Sequence, residues 1–499
     1  MEFQLLEVVS RASEEVFGGR RTSGARFDLT DGASVFAEGQ HVTAIIGKNG
    51  SGKSHMLSSV VETFLLLEEM AKGKNPAKVE LPLARLVYRA SGRTCVVEHS
   101  PFGPTLLVEG HRVPPELLPL PSRIVALTIS PFDKFPVPKS LPLSMEVASN
   151  SNSSLYRYLG LRDRTGRAAI ENLLFRSLNS IFEDRGVKDN FRRANLARVF
   201  EFLKLSPTLS ISYRLRISRT VTEAVFQGRN ILDPEVILDK RIAERARDVV
   251  ELEGITPEHM AFLLTKVIDR QRGGKIRYET HFRRAGSQDE EFREVQPLRR
   301  AGFLQLNAVD ILRNGLPTNL KDASSGEVSI VTALLSLASV IKHGSLVLID
   351  EPELSLHPEW QVRYVDLLLQ TFSNYLGCHF VIATHSPLVV SELPSNANIV
   401  SLDDRALPPL SALSGQPADL LLAEAFGLPN SNNYYVREQL LLAAQLIAEG
   451  EVESAQFNEA FGRIRRLASE MDTDDPALVI VEGLVKAAET RSGSKTTWK

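Results

Sequence analysis

The stretch Ile45-Ile46-Gly47-Lys48-Asn49-Gly50-Ser51-Gly52-Lys53-Ser54 decides how this chain is read. It carries the spacing G-x-x-x-x-G-K-S. The apolar run His41 to Ile46 leads into it, and a helix-like segment, Met56 to Glu69, follows. A strand, a glycine-rich turn and a helix start together make an anion site, because backbone N–H groups and the positive end of the helix face the ligand. Gly47, Lys48, Asn49, Gly50, Ser51 and Gly52 would form the cradle. Lys53 would reach the outer phosphates and the Ser54 hydroxyl would hold Mg²⁺. The spacing predicts a nucleotide site.

A second constellation lies between residues 323 and 387. Ser345-Leu346-Val347-Leu348-Ile349-Asp350-Glu351-Pro352 is an apolar strand run ending in two carboxylates. Asp350 sits where an aspartate can hold the hydration shell of a metal, and Glu351 where a carboxylate can polarise an attacking water. Upstream, Ala323-Ser324-Ser325-Gly326-Glu327 opens an apolar helix from Val328 to Ile341, a second phosphate-binding device at a helix N-terminus. Downstream, Phe380-Val381-Ile382-Ala383-Thr384-His385-Ser386-Pro387 is a further strand ending in a histidine.

Composition bounds the rest. The chain of 499 residues has room for two or three domains, and 43% hydrophobic with 24% charged residues is the balance of an ordinary soluble globular protein. Two cysteines, Cys95 and Cys378, exclude a disulfide framework and a cysteine zinc cluster. No charged-then-apolar leader opens the chain and no apolar run reaches 18 residues, so a cytoplasmic protein without membrane contact is expected. The net charge of −3 is unevenly spread: residues 151–320 carry +8 and the remainder −11, with 25 arginines against 5 lysines in the first group. Pairs such as Arg192-Arg193, Arg283-Arg284 and Arg299-Arg300 would suit a nucleic-acid backbone, the acidic surface of a partner, or plain solvated helix faces.

In chain order, strands are expected at Phe3 to Val9, Ala25 to Leu29, Val35 to Phe36 and the run into the phosphate loop. Ala84 to Tyr88, Thr94 to Glu98 and Thr105 to Glu109 suggest an antiparallel subsheet, and Arg123 to Ile129 a buried parallel strand. The polar run Asn150 to Ser154 marks a boundary. From Arg167 to about Gly273 the texture is helical, with Ile170, Leu173, Leu174, Leu178 and Ile181 on one face, but no heptad seam persists. Tyr278 to Phe292 is charged and reads as an exposed connection. Four helices are expected at Ala418–Phe426, Tyr435–Ala448, Ser454–Glu470 and Pro476–Thr490.

The phosphate loop, Ser324-Ser325-Gly326-Glu327, the strand with Asp350-Glu351-Pro352-Glu353-Leu354-Ser355-Leu356-His357-Pro358, and the strand with Ala383-Thr384-His385-Ser386-Pro387 resemble, in that order, the ABC-type ATPase heads. The nearest likeness is to the SMC, RecF and OLD-type group and to ATPase subunits of prokaryotic antiphage systems, Septu-like and retron-associated. The resemblance covers residues 1–135 and 320–403. It implies an α/β P-loop ABC-type head with a large helical insertion and a C-terminal helical region: head at 1–150 and 321–405, mainly helical insertion at 151–320, helices at 406–499. It further implies ATP and Mg²⁺ as ligands, Lys53 and Ser54 on phosphate and metal, Asp350 as the Walker B carboxylate, Glu351 as base and His385 as switch histidine. Ser325 and Gly326 would complete the site of a second subunit in an ATP-sandwich homodimer or higher oligomer, with Ser355 to Pro358 as the D-loop at the seam.

The sequence departs from that family in places. No glutamine stands where the Q-loop should; the turn Ser130 to Phe135 takes its place, with Ser130 or Asp133 standing in. Leu478 to Gly483 imitates the opening of a Toprim nuclease domain, but no Asp-x-Asp follows, so no nuclease is expected in this chain. Two functions stay open: an ATPase switch that controls a separate effector such as a nuclease in antiphage defence, or a RecF/SMC-like repair ATPase that grips DNA itself. The absence of a coiled-coil arm counts against an SMC-like clamp. The His-Pro after the Asp-Glu-Pro-Glu run counts against a transporter.

Overall fold

A computed structural model of the chain describes residues 2–11, 26–29, 39–75, 79–137, 155–162, 187–271, 274–284, 286–313, 315–403, 407–408 and 412–491. Its first third holds β1 (Phe3–Ser10), β2 (Arg26–Asp28), β3 (His41–Ile46), α1 (Lys53–Ala71), β4 (Leu83–Ala90), β5 (Arg93–Glu98), β6 (Thr105–Val108), β7 (His111–Arg112) and β8 (Arg123–Thr128). The middle holds β9 (Tyr156–Leu159), α2 (Val187–Phe202), β10 (Thr208–Leu215), α3 (Arg219–Phe226), α4 (Lys240–Glu253) and α5 (Pro257–Arg270). It continues with β11 (Lys275–His281), α6 (Ser287–Glu294), α7 (Gln296–Ala301), β12 (Leu304–Arg313) and β13 (Leu316–Asn319). Then come α8 (Ser325–Val340), β14 (Ser345–Asp350), α9 (Pro358–Thr371), β15 (His379–Ala383), α10 (Pro387–Ser391) and β16 (Asn398–Ser401). Last are α11 (Ala418–Glu424), α12 (Tyr434–Glu449), α13 (Ala455–Ala468) and α14 (Pro476–Arg491).

The central sheet runs β16-β3-β15-β14-β8-β9 with every neighbouring pair parallel. Its strands read as continuous apolar runs because both faces are covered. Ile45, Ile124, Leu348 and Val381 point into a core shared with α1 and the antiparallel sheet β2-β1-β4-β5-β6-β7. Their neighbours Ala44, Val125, Val347, Ile349 and Ile382 point the other way, into a core shared with α8, α9, α2 and the middle of the chain. Alternate residues thus serve opposite layers. Leu348 is fully buried at the centre, and cutting it to alanine would cost about 2–5 kcal/mol. Among the described residues no helix is long and apolar enough to cross a membrane.

The middle segment differs from expectation. Its helices α2, α4 and α5 fall where the helical texture is, but they pack around a four-stranded antiparallel sheet, β11-β10-β12-β13. The supposed exposed connection Tyr278 to Phe292 is the end of β11 followed by α6. Tyr278 and Phe292 are buried and meet edge to face with ring centroids 5.7 Å apart, and Tyr213 stacks on Phe292. The misreading has a plain cause: in Lys275-Ile276-Arg277-Tyr278-Glu279-Thr280 each second residue faces water, so half of a buried strand reads as charge. The expected boundary at Asn150–Ser154, the strand at Val35–Phe36 and the Ile170–Ile181 face lie outside the described residues. The four C-terminal helices form within two residues of their expected ends and share a core of their own, with Glu482 exposed.

Candidate nucleotide site

Parallel register brings the loops after β3, β8, β14, β15 and β16 to one rim. Asp350 lies level with Thr128 on one side and Ala383 on the other, and Ala383 is level with Ile45. In an open parallel sheet this carboxyl-end rim is where ligands bind. Three backbone bonds fasten the rim: Glu351 N–H to Ala383 O at 2.9 Å, Thr384 N–H to Ile45 O at 3.0 Å and Leu402 N–H to Ile46 O at 2.9 Å.

The phosphate loop turns between β3 and α1. Gly52, at φ 97°, is the residue before the helix, a left-handed conformation that glycine adopts without strain. Lys53 then opens a helix whose first N–H groups face the rim. Its side chain is buried and folded back: Nζ donates to Gly47 O at 2.8 Å and to Lys48 O at 3.2 Å, and lies 3.3 Å from His385 Nδ1. Burial lowers the ammonium to about 8 against the pull of Glu351, Asp403, Asp350 and Glu353, so it stays charged at neutral pH. Ser51 Oγ is buried without a hydrogen-bond partner among the described residues. A buried hydroxyl in that state is a group awaiting a ligand.

Asp350 is buried at the end of β14, and Ser54 Oγ donates to its Oδ1 at 3.1 Å. Burial pushes the carboxyl up to about 7, the Ser54 hydrogen bond pulls it down, and nearby Glu351 pushes it up again. A hydroxyl and a carboxylate so close, both hard oxygen donors, fit a Mg²⁺ ion that completes its shell with water and substrate phosphate. Glu351 follows at φ 51°, a left-handed conformation for a residue with a side chain. Strain of this sort persists only where the surroundings over-determine it. Its Oε1 stands 3.7 Å from His385 Nε2.

His385 therefore lies between a cation and a carboxylate. An ammonium only donates, so the Nδ1 facing Lys53 is the lone-pair nitrogen and the ring proton sits on Nε2, toward Glu351. Burial, reinforced by Lys53, lowers the imidazole to about 4, so it is neutral at pH 7.

The structure thus gathers Gly47 to Ser54, Asp350, Glu351 and His385. Ser325 and Gly326 are not part of that cluster. Ser324 caps α8, accepting from Glu327 N–H at 3.3 Å while Glu327 Oε2 accepts from Ser324 N–H at 3.0 Å, a reciprocal capping box. Ser325 stands exposed in the first turn. Gly326 is buried against the next turn of chain: a Cβ there would lie 2.8 Å from Ser355 O and 2.9 Å from the Trp360 ring. Only glycine fits.

Asp133, one of the two residues expected in place of the missing glutamine, is near enough to Asp350 to help raise its carboxyl, but its own carboxylate is already engaged. Arg162 grips its carboxylate at 2.6 and 3.0 Å, and Tyr158 OH donates to it at 2.8 Å, so it anchors its turn to β9. Ser130 remains on the rim, buried, its N–H bonded to Thr128 Oγ1 at 3.0 Å. Sequence reasoning also missed Asp403, whose Oδ2 accepts from Lys48 N–H at 3.1 Å. The signal was faint: Asp403 comes two residues after the short, half-polar strand β16.

Residues 287–391 match the family described as AAA domain, putative AbiEii toxin, Type IV TA system. That stretch includes the capping box of α8, Asp350, Glu351 and His385. The chain is 27% identical over 172 residues to the Retron Vc95 probable ATPase of Vibrio cholerae serotype O1 biovar El Tor, covering 29% of this chain and 33% of that protein. It is 33% identical over 119 residues to Protein ea59 of Escherichia phage lambda, covering 22% of each. The chain thus spans a third or less of these relatives. An SMC head domain from Thermotoga maritima aligns over 80% of this chain and 94% of its own at 13% identity, with a TM-score of 0.32. By sheet order and motif set this is an α/β protein with a P-loop. It is related to the retron ATPases over the part they have in common.

Proposed function

We propose that the chain binds ATP and hydrolyses it to ADP and phosphate, as a switch whose output belongs to a separate effector in antiphage defence. The observation that carries the catalytic part is the convergence of Lys53, Ser54, Asp350, Glu351 and His385 on one rim, from three strands far apart in sequence. Gly47 to Gly52 would wrap the phosphates with backbone N–H groups, and Lys53 would exchange its loop carbonyls for phosphate oxygens. Ser54 and Asp350 would hold Mg²⁺, which supplies charge neutralisation to the phosphates when bound. Glu351 would take the proton of the attacking water. His385, neutral with its proton on Nε2, would donate to the outer phosphate.

Ser325 and Gly326, outside this cluster, would face the nucleotide of a second copy, so each site is completed head to tail. Mixing Ser325→Arg with Lys53→Ala chains tests this, because a mixed dimer regains one site free of both lesions. Turnover above either variant alone is expected; none, despite demonstrated mixed dimers, removes the shared-site reading. The effector reading rests on the similarity to a retron probable ATPase. It is tested by expressing the chain with its neighbouring genes: plaque numbers should fall with wild type and recover with Glu351→Gln. Protection that survives that substitution refutes it.

A further inference from the structure

The run Asp350-Glu351-Pro352-Glu353 ends in a carboxylate that the chemistry above does not use. Glu353 Oε1 accepts from the backbone N–H of His385 at 2.6 Å, and the Thr384 hydroxyl bonds the same carboxylate. Oε2 is shielded from water and has no hydrogen-bond partner among the described residues. Burial raises this carboxyl above its ordinary value, with the bond from His385 opposing the shift. Burying a carboxylate costs free energy that its hydrogen bonds must offset, so its place here calls for an account.

What Glu353 joins does account for it. It lies in a tight turn, with Leu354 N–H bonded to Glu351 O at 3.2 Å and Leu356 N–H to Glu353 O at 3.0 Å. Two residues on, Ser355 is held at φ 65°, and its carbonyl lies so near Gly326 that a Cβ there would be 2.8 Å from it. Past Ser386, the other side is braced too: its hydroxyl donates to Gln361 Oε1 at 2.7 Å, and Gln361 Nε2 donates to Leu356 O at 3.0 Å. A continuous line of touching groups runs from the N-terminus of α8, through this turn and Glu353, to the backbone that carries the imidazole.

Building on the ATPase reading, we infer that Glu353 is a positioning residue. It ties the Thr384-His385 backbone to the Glu353–Ser355 turn, so that pressure on the turn at Gly326 sets where His385 stands between Lys53 and Glu351. Closure by a second copy at α8 would then be reported to the histidine through this carboxylate.

The test is a double-mutant cycle on the full chain, with thermal unfolding to confirm that each variant folds. Glu353→Ala should lower kcat about 10- to 100-fold, the worth of one hydrogen bond to a charged group, with KM for ATP within about threefold. Glu353→Gln keeps an acceptor for the His385 N–H and should recover most of that loss. In a His385→Ala background, Glu353→Ala should cost less than about threefold more, since it acts through the histidine. An undiminished loss in that background, or unchanged kcat in Glu353→Ala, overturns the inference. If turnover is too slow to read, the same cycle is read in the preference for binding ATP over ADP, with the same expected non-additivity. Lys53→Ala separates the two readings: nucleotide binding unchanged by it sinks the site itself. Binding lost with Lys53→Ala but indifferent to Glu353 sinks only the positioning role.

Discussion

The rim of the parallel sheet and the segment between β9 and α8 use the same charged residue types in opposite ways. In the segment, several basic residues are paired off: Arg193 reaches Asp289 at 2.9 Å with both side chains buried, Lys266 reaches Glu294 at 2.8 Å, and Arg283 and Arg300 hold Glu201 and Glu253. Arg193 also donates to the carbonyls of His281 and Arg284, stitching α2 to the end of β11. At the rim the charges converge without settling. Asp350 is pushed up to about 7, Lys53 down to about 8 and His385 down to about 4. Paired charge builds a frame; buried groups whose titration is shifted together mark a candidate ligand site. The arginines so paired are struts of the middle segment.

The largest effect should come from the rim. Glu351→Gln should keep ATP affinity while turnover falls by about 10²–10⁴-fold, and Lys53→Ala should lose nucleotide binding; titration calorimetry and phosphate release measure both. Equal turnover in wild type and Glu351→Gln would break the contrast. Next comes the frame. Arg193→Ala strands Asp289 in the core and should destabilise the chain by about 3–5 kcal/mol, while ATP affinity, measured below the unfolding transition, stays as in wild type.

A smaller effect follows from Asp350. Its folded-state carboxyl holds the proton up to about pH 7, whereas in the unfolded chain it releases it near the ordinary aspartate value of 3.8. Nucleotide-free protein should therefore lose stability as pH rises from about 4 to about 7. Asp350→Asn should remove that part of the slope and gain on the order of 2 kcal/mol at pH 8, at the expense of Mg²⁺-dependent hydrolysis. A slope identical in the two proteins would place Asp350 in a better-solvated state. Smallest of all, Arg283→Glu breaks an exposed pair with Glu201 and should shift stability by about 0.5 kcal/mol or less. Salt-dependent titration with labelled duplex sharpens the same point: steep binding abolished by Arg283→Glu with Arg284→Glu would mean the segment does carry free basic surface.

How much the sequence disclosed follows the same divide. The rim was legible because its signals are local. An apolar strand run ending in a glycine turn, in Asp350-Glu351 or in Thr384-His385 needs no knowledge of distant partners; β3 forms with the bounds read from the chain, and β14 starts where read and ends at the first of the two carboxylates. The antiparallel sheet of the middle segment was not legible, because β10 pairs with β11 and β12 across more than sixty residues and β11 presents a charged face. The engagement of Asp133 was hidden for a related reason. A carboxylate in a turn after a strand looks like a ligand until Arg162, from another part of the chain, is seen to hold it. Glu353 hid in plain view, since a third acidic residue after Asp350-Glu351 reads as solvated charge until the N–H it accepts is known.

The strand order of the central sheet also has a consequence for how the protein is made. Beside β3, which launches the phosphate loop, stand β15 and β16, and both are synthesised some three hundred residues later. At ribosomal speed that is a wait on the order of tens of seconds. During it β3 and α1 emerge with one apolar face and two sheet edges uncovered. Until residues 379–401 arrive, Lys53 has no histidine beside it and Ser54 stands apart from the strand that brings Asp350. On the ATPase reading, a nascent chain would therefore complete its nucleotide site only after residues 379–401 have left the ribosome, and until then the edges of β3 would stand uncovered.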